Sequence, residues 1–150
     1  MTNEAALQRL IDESDLRNLV MGMPKTLDAR DFDAYGELFL EDAVFDLAGD
    51  VRQGRKAIVD GPNRDLVPLY EATFHQLGQI YVDVHGDEAE MVAYCVAYHL
   101  PKASAFTEHA NAGGKYRCEA SRTPDGWRFT RVTLELNLLW GSVPFFSQPD

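Results

Sequence analysis

The stretch Leu27-Asp28-Ala29-Arg30-Asp31-Phe32-Asp33-Ala34-Tyr35-Gly36-Glu37-Leu38-Phe39-Leu40-Glu41-Asp42-Ala43-Val44-Phe45-Asp46 falls into three pieces. A helix arriving from upstream ends near Asp28. Asp31 opens a short second helix, with Phe32, Tyr35, Leu38 and Phe39 at helical spacing. Its carboxylate can accept from the open N–H groups of the first turn. Glu41-Asp42 breaks the run, and Ala43 to Leu47 begins a strand. Asp28 is the odd residue. It stands at a helix end, just before a cap that Asp31 already supplies, and a carboxylate without a structural duty there is a candidate for chemistry.

Upstream, the first helix runs from Asn3 and carries Leu7, Leu10, Ile11, Leu16, Leu19, Val20 and Met23. Its apolar positions slip near Ser14, which predicts a bend. Pro24 would cost about 3 kcal/mol inside a helix. A kink or restart there would set how Leu27 and Asp28 enter the interior. Downstream, Gly49-Asp50 forms a turn and Val51 to Gln53 a short return. A third helix starts at Gly54, is interrupted by Pro62 and Pro68, and ends near Tyr70.

The remainder alternates like sheet. Ala72 to Val84 is a strand closed by the turn His85-Gly86-Asp87-Glu88. Ala89 to Leu100 follows, with Val92, Tyr94, Val96 and Tyr98 on one face and Met91, Ala93, Cys95, Ala97 and His99 on the other. Ala103 to Gly114 is ambiguous, and Gly113-Gly114 marks a bend or bulge. Lys115 to Arg122 and Trp127 to Leu139 are strands around the hairpin turn Thr123-Pro124-Asp125-Gly126. Helices first and antiparallel strands after predict an α+β fold. Long antiparallel strands curl, so the expected shape is a cone around a cavity.

A chain of 150 residues is one domain, residues 1–150. Its net charge of −10 argues against nucleic acid or an anionic membrane as partner, since both require a basic face. No apolar run reaches the ~20 residues that cross a bilayer. The Met-Thr-Asn-Glu start has no basic region followed by an apolar one, so a cytoplasmic location is expected. Cys95 and Cys118 lack metal spacing and read as small core residues. The four histidines are scattered, so no metal site is expected, and nothing resembles a phosphate loop or a dinucleotide fingerprint that would point to a nucleotide cofactor.

The order of a helix, Leu27-Asp28-Ala29-Arg30-Asp31, Leu38-Phe39-Leu40-Glu41-Asp42-Ala43-Val44-Phe45, then Phe74-His75 and the terminal Trp127-Arg128-Phe129-Thr130-Arg131 resembles the SnoaL-like branch of the nuclear-transport-factor-like superfamily. The pattern is most similar to hexachlorocyclohexane dehydrochlorinase, scytalone dehydratase and the bile-acid dehydratases. The resemblance implies a conical α+β barrel, with three helices in the N-terminal half, and cofactor-free elimination chemistry using an Asp–His pair. By position it assigns Asp28 and His75 to that pair and Arg131 to the pocket arginine. Those relatives carry Lys or Tyr five residues before the Asp; here that position is Met23.

The chemistry supports the pair independently. A neutral histidine takes a proton near pH 7, and a carboxylate partner fixes its tautomer and stabilises the imidazolium. Each residue also has a plain structural reading. Asp28 could be a helix-end carboxylate, His75 a satisfied histidine, and Arg131 an ion-pair partner of Glu135. The expected pocket wall is Met23, Tyr35, Tyr94, Tyr98, Tyr116, Trp127 and Phe129, and one of the phenols could replace the missing donor. His99 and His109, near strand ends, could rim the pocket.

Two function classes follow. One is a cofactor-independent lyase or isomerase acting on a small, largely apolar cyclic molecule. The other is a non-catalytic ligand-binding module, or a small subunit of a ring-hydroxylating dioxygenase assembly. A homo-oligomer, dimer or trimer, is expected, with Val143, Phe145 and Phe146 as contact candidates.

Overall fold

The computed structural model describes residues 1–144; Phe145 and Phe146 lie outside the described residues. The elements are α1 (Asn3–Ala29), α2 (Phe32–Gly36), β1 (Phe39–Leu47), β2 (Asp50–Gln53) and α3 (Arg55–Asp65), then four long strands. These are β3 (Ala72–His85), β4 (Glu88–Leu100), β5 (Ala110–Thr123) and β6 (Gly126–Gly141). The fold is α+β, as expected. Among the described residues, six strands form one curved sheet in the order β2-β1-β6-β5-β4-β3, in which β1 and β6 are parallel and the other neighbours antiparallel. The sheet does not close into a barrel: β2 and β3 are its two edges.

α1 starts at a Thr2 cap, whose hydroxyl accepts from the Ala5 N–H at 3.2 Å. It does not restart at Pro24 but continues through it to Ala29. Burial of Leu16, Leu19, Val20, Met23 and Leu27 along one side outweighs the lost bond. α1 ends at Arg30, which adopts the left-handed conformation (φ 58°) and donates its N–H to Leu27 O. Asp31 then caps α2 by accepting from the Ala34 N–H at 3.0 Å.

β1 begins earlier than the sequence pattern suggested. Phe39 already pairs with Phe129, and the Phe129 N–H donates to Leu38 O at 2.8 Å. Glu41 and Asp42 do not end the run. They lie inside β1, exposed, where its register against β6 shifts. Extended backbone tolerates two adjacent acids when both reach solvent.

Besides that shift, three bulges among the described residues shape the antiparallel part of the sheet. Gly78 and Gln79 together oppose Tyr94, while Thr130 and Asn137 are extra residues of β6 against β5. Each extra residue reverses the in–out alternation beyond it and increases the local bend. At the Asn137 bulge the backbone of Glu135 comes so close to Gly114 that a Cβ there would overlap the Glu135 carbonyl.

The inner face is graded in size. Phe39, Phe45, Met91, Phe129 and Val132 fill one part of it, all buried. Ala97, Ala110 and Ala112 occupy another, and there the sheet leaves a hollow. Cys95 and Cys118 are buried and free, as expected of small core residues.

The start of α1 is fastened to the β5–β6 hairpin by a buried carboxylate. Asp12 accepts two bonds from Arg122, at 2.7 and 2.9 Å, and one from the Trp127 indole N–H at 3.4 Å. The Arg122 guanidinium also sits 4.4 Å from the Trp127 ring centroid. The Arg122 bonds hold the Asp12 carboxyl below its usual range, against an opposing push from burial. Asp12→Ala should therefore lower unfolding free energy by about 2–3 kcal/mol, since it strands Arg122 and the indole. The stabilisation should be complete above the ordinary Asp pKa and disappear as pH falls through the depressed one. Urea unfolding of wild type and variant across pH 2–7 checks both statements.

Candidate active site

The end of α1 and the start of β3 meet at Asp28. Its Oδ1 accepts from the His75 Nδ1–H at 2.7 Å and from the Thr73 hydroxyl at 2.9 Å. Its Oδ2 accepts from the His75 backbone N–H at 2.9 Å. Thr73 and His75 are two apart in a strand and so share its inner face. Burial raises the Asp28 carboxyl, but the three bonds from His75 and Thr73 outweigh it and hold the group below its usual range. An ionised Asp28 can only accept, which places the proton of neutral His75 on Nδ1. Nε2 is then the ring atom left for proton transfer.

His75 lines a cavity of about 460 Å³. Leu27, Phe45, Leu134, Ala97 and Ala112 give it apolar walls, and three phenols, Tyr35, Tyr70 and Tyr116, border it. Burial keeps Tyr35 and Tyr116 well above the ordinary phenol range, so both stay protonated and able to donate. The Tyr116 hydroxyl engages the Cys95 thiol.

A second histidine borders the same space. His99 packs edge-on against His75, with ring centroids 5.5 Å apart. Its Nδ1–H donates to Ala110 O at 3.1 Å. Burial, reinforced by the charge His75 can carry, pushes its pKa down to about 4. Arg30 lies beside this group and donates through Nη2 to Tyr70 O at 3.0 Å.

The structure brings Asp28 and His75 together and leaves Arg131 out. Phe129 points inward, but the extra residue Thr130 turns Arg131 to the exposed outer face, opposite Glu119. Glu135, its expected partner, instead pairs with Arg117 at 2.7 Å. Of the seven expected wall residues, Tyr35 and Tyr116 line the cavity. Met23, Trp127 and Phe129 are buried in the solid core. Tyr94 and Tyr98 are on the outer face, where Tyr94 carries Lys115 over its ring at 5.2 Å and Tyr98 stacks with Phe74 and Trp140. His99 borders the cavity, whereas His109 bonds Asn111 outside it. Among the described residues no group of three or more His, Cys, Asp or Glu could hold a metal ion. No helix among them is long and apolar enough to cross a membrane.

Sequence reasoning missed the arginine that is in the cavity wall. Arg52 on β2 is 7% exposed and borders the cavity with Asp50 and Asp65. It bonds Asp50 at 2.9–3.0 Å and Asp65 at 3.1 Å. The available signal was alternation: Asp50 and Arg52 must share a face of the short return strand.

A SnoaL-like domain matches residues 8–133. The chain belongs to the SnoaL-like family. No curated protein matches it. Among solved structures, it is similar to an NTF2-like protein with a cystatin-like fold from Novosphingobium aromaticivorans, at 30% identity and a TM-score of 0.74, over 91% of this chain and 89% of that one. A second protein from that organism, provisionally assigned as an aromatic ring hydroxylase, is 28% identical with a TM-score of 0.79, over 89% and 94% of the two chains. The hexachlorocyclohexane dehydrochlorinase LinA-type3 of Novosphingobium barchaimii is 16% identical with a TM-score of 0.81, over 96% and 99%, a likeness of fold. These neighbours share the fold of this SnoaL-like chain.

Two outcomes are expected for these placements. Arg131→Ala should change unfolding free energy by no more than about 0.5 kcal/mol, as expected of an exposed side chain that makes no ion pair among the described residues; chemical denaturation measures it. His99 should stay neutral in the folded chain down to about pH 4. The unfolded chain binds that proton near pH 6.5, so His99 should cost stability increasingly as pH falls from there toward 4. Histidine ¹⁵N shifts against pH, together with melting curves for His99→Gln, check it.

Proposed function

We propose that this SnoaL-like chain is a cofactor-independent lyase or isomerase that works by general acid–base catalysis. The observation that carries the reading is the 2.7 Å bond from His75 Nδ1 to Asp28 at the wall of the cavity. His75 Nε2 takes a proton from a carbon of the bound substrate. Asp28 stabilises the imidazolium that results and prevents the ring from turning. The electron pair left on carbon forms a double bond as a leaving group departs, or moves along the molecule when the proton returns elsewhere. Tyr35 and Tyr116, held protonated, are the donors placed to meet charge developing on a leaving or carbonyl oxygen. They take the part that Met23 cannot. The apolar walls suit a small cyclic molecule.

The name given to the 28%-identical relative supports a second reading, a partner subunit or ligand-holding module in aromatic-ring oxidation. The outer face offers material for assembly. Phe74, Leu138 and Trp140 are all more than two-fifths exposed there, and we propose a homo-oligomer formed through that face.

Deuterium exchange into a panel of cyclic ketones and alcohols, read by mass spectrometry, tests the catalytic reading. His75→Ala should abolish exchange. Asp28→Asn should lower kcat by orders of magnitude with the fold retained, because an amide can favour the wrong tautomer and cannot balance the imidazolium. A His75→Ala chain with full activity would leave only ligand holding.

A further inference from the structure

The cavity has a second polar region that the proton-transfer scheme does not use. It is made by β2 and α3, at the opposite sheet edge from β3. Arg52 is buried there although a charged side chain loses much hydration in such a place. It is retained by Asp50 and Asp65, and Arg64 joins the group at 2.6 Å from Asp65 and 3.7 Å from Asp50. The bonds from Arg64, assisted by the charge of Arg52, hold the Asp65 carboxyl below its usual range. Two guanidinium and two carboxylate groups make the cluster neutral in sum.

Gly61 is the second observation. It lies buried within α3, where glycine costs about 1 kcal/mol relative to alanine. Its conformation gives no reason for glycine. Space does: a Cβ there would overlap Nη1, Cζ and Nε of Arg52. The helix is therefore notched to seat the guanidinium. Nε and Nη2 go to the two carboxylates. Nη1 makes no hydrogen bond among the described residues, and it belongs to a side chain that borders the cavity.

We propose that this cluster is a recognition subsite for a neutral hydroxyl group on the substrate ring, distant from the carbon that loses its proton. The hydroxyl oxygen accepts a hydrogen bond from Arg52 Nη1, and its O–H donates one to a carboxylate oxygen of Asp65 or Asp50. Because the guanidinium charge is already balanced, a carboxylate or phosphate gains little by entering. An unsubstituted hydrocarbon leaves the subsite unsatisfied. The inference rests on the lyase or isomerase reading only in taking the ligand as the substrate.

Three probes that share one ring system separate the possibilities: naphthalene, 2-naphthol and 2-naphthoate, titrated against the protein by calorimetry or probe fluorescence. 2-Naphthol should bind roughly tenfold or more tightly than naphthalene, as a hydrogen bond to a charged group predicts. 2-Naphthoate should bind no better than naphthalene. Gly61→Ala keeps every charge and favours the helix but displaces the guanidinium, so the naphthol advantage should vanish, with circular dichroism confirming the fold. Asp65→Asn leaves one cationic charge unbalanced and should turn the preference toward 2-naphthoate. His75→Ala should keep the naphthol advantage. Equal binding of naphthalene and 2-naphthol would overturn the proposal. So would an advantage that survives Gly61→Ala, or one that disappears in His75→Ala, which would assign the hydroxyl to the dyad. The readout is binding: an intact naphthol preference without any proton exchange sinks the catalytic reading and leaves this subsite standing.

Discussion

The carboxylate of Asp28 is the point on which both fold and site depend. It receives a ring N–H, a backbone N–H and a hydroxyl, all from the first four residues of β3. Those bonds fasten the end of a 27-residue helix to an edge strand. An edge strand has a paired neighbour on one side only, and β3 has β4. The same bonds keep a half-buried carboxylate ionised against the penalty of burial. Structure and reactivity therefore draw on one set of contacts. Removing the side chain altogether would loosen the helix end and unset the tautomer of His75 together.

A hollow costs stability, because atoms lining it lose contact partners. Here the hollow follows from side-chain size. β4 and β5 place Ala97 and Ala112 at the hollow, whereas Phe39, Met91, Phe129 and Val132 fill the solid core. The bulges complete the shape. An unbulged β6 would have carried Arg131 inward with Phe129; one extra residue, Thr130, turns it out and brings Val132 and Leu134 in. The result is an apolar stretch of cavity wall at Leu134.

Much of this was legible in the chain. Asp31 as a cap, the α+β order and the Asp28–His75 pair could all be read, because each rests on local pattern or on spacing within a known family. Alternation also separated the two faces of β4 correctly. It did not say which face was inward, and the aromatic face drew the choice. The criterion that decides is volume: a pocket needs small residues, so Ala93, Cys95 and Ala97 marked the inner face and Tyr94 and Tyr98 the outer. A single bulge residue has no signature in composition, which is why Arg131 was misplaced. Arg52 was hidden for another reason. Its partner Asp65 comes from a helix that no periodicity connects to β2, and Gly61 explains itself only once the guanidinium is in view.

The two polar ends of the cavity are held in place by different means, and the difference bears on what each can do. His75 sits on a 14-residue strand, and its partner carboxylate is fixed by three bonds. Its placement is thus stiff, as the proposed role of base requires if it is to meet one carbon–hydrogen bond within hydrogen-bonding distance. Arg52 sits on a four-residue edge strand paired only with β1. Sheet bonding alone gives so short a strand little rigidity. Its side chain is positioned instead by carboxylates from its own strand and from α3, and by the notch at Gly61. A substitution on α3 can therefore move the guanidinium without disturbing a bond of the dyad. On the proposed reading, recognition and proton transfer are mechanically separable in this fold: the long strand would carry the chemistry, and the short strand with its helix the recognition of the ring.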